Sequence, residues 1–114
     1  MNPAVTFHED ARTEFDEAAG YYNTERKGLG LAFVREVERA VARVSEYPAS
    51  CPILRGRVRA MRVHSFPYVV LYSAVDERIR VLAVAHDRRR PFYWSGREEH
   101  AANQRIDQTG RPLR

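Results

Sequence analysis

The sequence predicts an α+β fold: one strand, a two-helix hairpin, then a three-stranded antiparallel meander, with the helices packed on one face of the sheet. Two observations carry this expectation. Apolar residues recur three or four apart from Ala11 to Val44, and from Val58 onward they alternate every second residue. At 114 residues and 44% hydrophobic content, the chain has material for one packed domain and little more.

Each element has a local reason. Ala4 to His8 alternates as a short strand, with Val5 and Phe7 on one face. Glu9 and Asp10 then place negative charge where a helix N-terminus favours it. Ala11, Phe15, Ala18, Ala19 and Tyr22 follow at helical spacing, which predicts a helix over residues 10–26. Gly28 and Gly30 interrupt the pattern. Leu29, Phe33, Val37, Ala40, Val41 and Val44 restore it in a second helix, whose end Pro48 and Pro52 bracket. Residues 58–64 alternate as a strand, and Ser65-Phe66-Pro67 turns the chain. Residues 68–75 are so β-branched and aromatic that both faces should be buried, as in a central strand. Asp76-Glu77 supplies a tight turn into a last strand over residues 79–86. Ser95-Gly96-Arg97-Glu98 matches a capping box, so a short helix is expected there. Domain boundaries are placed at residues 1–97, with residues 98–114 read as a polar tail.

Charge is unevenly placed. Residues 1–50 hold nine acids and six bases (−3), residues 51–97 hold ten arginines and three acids (+7), and the remainder balances. Arginine abundance alone accounts for 18 of the 19 bases being Arg, but not for their gathering in the second half. Such a patch suits an anionic surface, nucleic acid or acidic protein. Cys51 is the single cysteine, so an internal disulfide is excluded and a packing role is expected. No apolar run approaches the ~20 residues of a membrane helix, and the N-terminus lacks a signal pattern. The expected location is the cytoplasm, with no membrane partner.

The densest chemistry lies in residues 86–94, where His86, Arg88, Arg89 and Arg90 meet Phe92, Tyr93 and Trp94. Arginine forks bind phosphate and aromatic rings stack on bases, so this mixture suits RNA or DNA; the plainer reading is a basic strand end whose aromatics close the core. Arg55, Arg57, Arg59 and Arg62 form a second basic group, and strand alternation sets Arg62 and His64 on one face with Arg59 opposite. Convergence of Arg62, His64 and His86 on a sheet face away from the helices is one geometric outcome. Phosphate loops, metal-ligand histidine spacing and serine-hydrolase elbows are missing, so neither cofactor nor metal is expected.

Taken together, these residues resemble a known family. Ala11-Arg12-Thr13-Glu14, Tyr21-Tyr22, Gly28-Leu29-Gly30 with Phe33, and Tyr47-Pro48 are similar to the first half of a RelE/ParE-type toxin. The second half adds residues 62–68 (Arg-Val-His-Ser-Phe-Pro-Tyr), Tyr72 and His86-Asp87-Arg88-Arg89, so the likeness spans roughly residues 4–97. The resemblance implies a plasmid-stabilisation toxin of a type II toxin–antitoxin module, neutralised by a cognate antitoxin protein. It also implies one of two targets: DNA gyrase for ParE-like members, or ribosome-bound mRNA for RelE-like endonucleases. Where RelE-like nucleases carry an arginine on the third strand this chain has Val69, and for two lysines on the second it offers Ala60 and Arg62. That departure favours the ParE-like branch. If the chain were a ribonuclease, the catalytic candidates would be Arg62, His86, Arg88, Arg89 and Tyr93, or Trp94 in place of Tyr93, with His86 as general acid or base. A diverged, inert complex subunit is the third reading.

Overall fold

The computed structural model describes residues 4–97; the expected tail and Glu98 of the capping box lie outside that range. Chain order is β1 (Ala4–Phe7), α1 (Glu9–Glu25), α2 (Leu29–Glu46), β2 (Ile53–Arg55), β3 (Val58–Arg62), β4 (Tyr68–Val75) and β5 (Arg78–His86). The sheet runs β1-β5-β4-β3-β2. The expected α+β architecture is present, with two additions: β2 is a short edge strand beside β3, and β1 pairs parallel to β5.

His8 begins α1, its Nδ1 accepting from the Asp10 backbone N–H at 3.0 Å. At the other end of the helix, Asn23 Oδ1 accepts from Gly28 N–H at 2.9 Å. Gly28 adopts φ 89°, the left-handed region that glycine enters without steric cost, and so swings the chain into α2. Gly30 has a different task. A Cβ there would collide with the Ala19 carbonyl oxygen and sit 2.9 Å from Asn23 Cβ, so its bare backbone lets the two helices touch. Gly30→Ala is therefore expected to cost ~1–3 kcal/mol by overpacking, outweighing alanine's ~1 kcal/mol advantage in helix propensity. Urea denaturation checks this, and an unchanged midpoint would mean that the helices separate freely.

Between the hairpin and the sheet lies the main core, made of Phe15, Phe33, Val37 and Val44 from the helices and Val63, Val70, Tyr72, Ile79, Val81 and Val84 from the sheet side. Phe33 is wholly buried, its ring 5.0 Å from Tyr68, 5.2 Å from Phe66 and 5.3 Å from Tyr22 between centroids. Val58, Leu71, Leu82, Ala83 and Ala85 form a second cluster on the outer face, closed by the buried Trp94. Both faces of β4 are thus covered, as its composition predicted.

A bulge lets β5 serve both layers. Leu71 pairs with Ala83 but Tyr72 pairs with Val81, leaving Leu82 as the extra residue. Leu82 and Ala83 both join the outer cluster, while Val81 and Val84 join the main core. At the β4–β5 hairpin, Asp76 and Glu77 both take positive φ, 51° and 58°, the mirror-type turn whose twist matches antiparallel strands.

Candidate functional site

One carboxylate organises the segment that follows β5. β1 pairs with β5 only as far as Val81, and beyond that end the Val84 N–H donates to a side chain, Glu14 Oε1 of α1, at 3.0 Å. Arg97 donates to both Glu14 oxygens at 2.8 Å and to the Leu82 carbonyl at 3.1 Å. Tyr93 Oη completes the arrangement, donating to Glu14 Oε2 at 2.7 Å. One carboxylate thereby ties α1, the bulge and residues 93–97 together. Burial, and then the bond to Glu14, push the Tyr93 phenol well above its ordinary range, so it stays protonated and donates. Burial pulls the Arg97 guanidinium down, but the hydrogen bonds to Glu14 outweigh it and the net direction is up.

Arg89 lies over the Tyr93 ring at 3.9 Å and faces Glu14 at 3.9 Å. Arg55 lies over Phe92 at 3.8 Å and donates to Ser95 Oγ at 3.0 Å, joining β2 to the same segment. A helical turn includes Ser95 to Arg97; Ser95 lies within it rather than before it, and the expected capping box, which needs Glu98, extends outside the described residues.

The other sequence candidates divide between two faces. Arg62 lies on the outer face and grips Asp87 with a two-bond fork, at 2.9 and 3.2 Å. Those hydrogen bonds hold the Asp87 carboxyl below the usual carboxylate range. His86 pairs with Tyr68, packs edge-on against its ring at 5.1 Å, and so stands on the helix side. Its Nδ1 accepts from the Arg88 backbone N–H at 3.0 Å. His64 leaves the strand altogether and sits exposed in the turn after β3. The convergence of Arg62, His64 and His86 does not occur. Strand parity is the reason: β3 and β5 present Arg62 and His86 to opposite faces.

Arg88 is exposed, whereas Trp94 is buried in the outer cluster and Tyr93 is bound to Glu14. Val69 belongs to the apolar surroundings of that cluster and supplies no charge of its own, with Arg62 directly across from it on β3. Glu14 is the residue that sequence reasoning left without a role. Its only local signal was a carboxylate among apolar positions of an amphipathic helix, and its partners lie 70 to 83 residues away. Among the described residues no cluster of His, Cys, Asp or Glu suits a metal ion, and no helix is long and apolar enough to cross a membrane.

Fold and surface define a small basic α+β domain whose arginines gather on the sheet and on the segment after it. The sequence model of the family described as "ParE toxin of type II toxin-antitoxin system, parDE" matches residues 5–91. The chain belongs to this family of toxins. A solved structure described as "Chromosomal ParDE TA system from P. aeruginosa" superposes with a TM-score of 0.65. It shares 15% identity, with 74% of this chain and 95% of that chain covered, a likeness of fold. No curated protein matches the sequence.

Proposed function

We propose that this toxin arrests growth in the cytoplasm by binding DNA gyrase rather than by cutting ribosome-bound mRNA, and that an antitoxin protein encoded beside it silences it. One observation carries the choice of target: two of the groups a nuclease would use are already engaged by carboxylates of the same domain. Arg62 is paired with Asp87 at the surface, and the Tyr93 proton is held by Glu14. Val69 offers an isopropyl group where a pentavalent phosphate would need a cation. Exposed apolar side chains, among them Tyr21, Leu31, Ile53 and Leu54, supply contact area for protein partners.

The test is expression of the chain alone and with its neighbouring gene. Growth arrest, relief by the neighbour, a DNA-damage response and inhibition of gyrase supercoiling by purified toxin are the expected results. His86→Gln discriminates further, because glutamine keeps polarity but cannot take up or release a proton near neutral pH. Its toxicity is expected to match the parent. Ribosome-dependent mRNA cuts by the parent, reduced ~10²–10⁴-fold in folded His86→Gln, would establish the nuclease instead.

A further inference from the structure

A cleft of about 850 Å³ opens where β1 runs into α1, walled by Phe7, His8, the outer face of β5 and the segment after it. Four of its lining residues are arginines, Arg80, Arg89, Arg90 and Arg97, against two acids, Glu9 and Asp10. Internal structure explains only half of these cations. Arg97 serves Glu14 and faces Asp10 at 3.8 Å, while Arg89 stacks on Tyr93. Arg80 reaches Thr6 Oγ1 at only 3.5 Å, and its buried Nε has no hydrogen-bond partner among the described residues. A buried donor without an acceptor is costly, and a shift of the Arg80 side chain toward an anion in the cleft would relieve it. Arg90 is exposed, with no carboxylate against it among the described residues.

The positive charge continues beyond the cleft. Ile79 and Val81 face the main core, so Arg78 and Arg80 both face outward, ~6.5 Å apart by the strand repeat. Their neighbours on β1, Ala4 and Thr6, are uncharged. Among the described residues, acids stand only at the ends: Glu9 and Asp10 by the helix, Asp76 and Glu77 in the hairpin turn.

We propose that Arg78, Arg80 and Arg90 form a docking track for the phosphate backbone of DNA, with the cleft as its deepest point. Guanidinium forks match phosphate oxygens two at a time. A row of cations at strand spacing suits a ligand with regular charge, and duplex DNA carries one negative charge per ~1.7 Å of axis. An acidic peptide would need apolar anchors, and among the described residues Phe7 and Tyr93 are the only large ones lining the cleft. The track is independent of which enzyme the toxin inhibits.

Fluorescence anisotropy of the full chain with a short labelled duplex of arbitrary sequence tests it. Binding is expected at ~50 mM salt, with log K falling against log salt at a slope of ~3 for three phosphate contacts. The Arg80→Gln/Arg90→Gln pair should bind about tenfold more weakly, with the slope reduced by ~2. Arg35→Gln/Arg43→Gln, on exposed positions of α2, should behave as the parent. Should Arg80→Gln unfold the chain, Arg90→Gln alone should lower the slope by ~1. Absence of parental DNA binding at this salt, or equal loss in both pairs, would overturn the track. So would a polyglutamate peptide that binds the parent more tightly than DNA and loses that affinity in the cleft variant.

Discussion

Phe33→Ala is expected to destabilise the domain by ~3–5 kcal/mol, the range for deleting a fully buried aromatic side chain. Phe33 sits where both helices and the β3–β4 connection meet, between Tyr22, Phe66 and Tyr68. The rings around it are too large to collapse into the space, so the void persists and its contacts are lost outright. Stabilities of small domains are ~5–15 kcal/mol, which makes this a large fraction of the whole. A melting-temperature drop of ~12–40 °C follows from ~4–8 °C per kcal/mol at this size. Calorimetry checks it, and a shift of a degree or two would mean that the pocket around Phe33 refills.

Glu14→Ala is expected to cost ~2–4 kcal/mol, because it removes the carboxylate that a mostly buried guanidinium, a phenol and the Val84 N–H share. The effect should also be visible locally. Trp94, the only tryptophan, is held in the outer cluster between Tyr93 and Arg97, two residues that Glu14 binds. Its emission should shift to the red as the segment loosens from the sheet. Glu14→Gln, which retains an acceptor but not the charge, should lie between the parent and alanine in both readouts. Unaltered Trp94 emission with an unaltered melting temperature in Glu14→Ala would show that the outer cluster alone anchors this segment.

The expected loss of the segment in Glu14→Ala bears on how the chain is read. Nothing around residues 92–97 announces that a carboxylate near the N-terminus restrains them. The aromatics Phe92, Tyr93 and Trp94 look alike in sequence, yet one stacks against Arg55, one donates to Glu14 and one is buried in the sheet's outer layer. Their separate duties follow from where the bulge sends the chain. The run Val81–Ala85 is apolar throughout, so its alternation carries no phase from which an extra residue could be detected.

By itself the sequence determined the helix hairpin, the order of the long strands and the buried status of Phe33, because these rest on periodicity, glycine geometry and turn chemistry within a few residues. It also carried enough of its family's pattern, from Glu14 through Phe66-Pro67-Tyr68 to Arg89, to announce a toxin. The tertiary structure alone decided the parallel pairing of β1 with β5, the edge strand β2, the bulge at Leu82 and the partners of every functional candidate. Arg62 meets Asp87 across 25 residues, and Glu14 meets Arg97 across 83. Periodicity says which face of an element is apolar. Which charged groups meet depends on strand register and on which face each strand end presents, and those are settled only when distant elements pack.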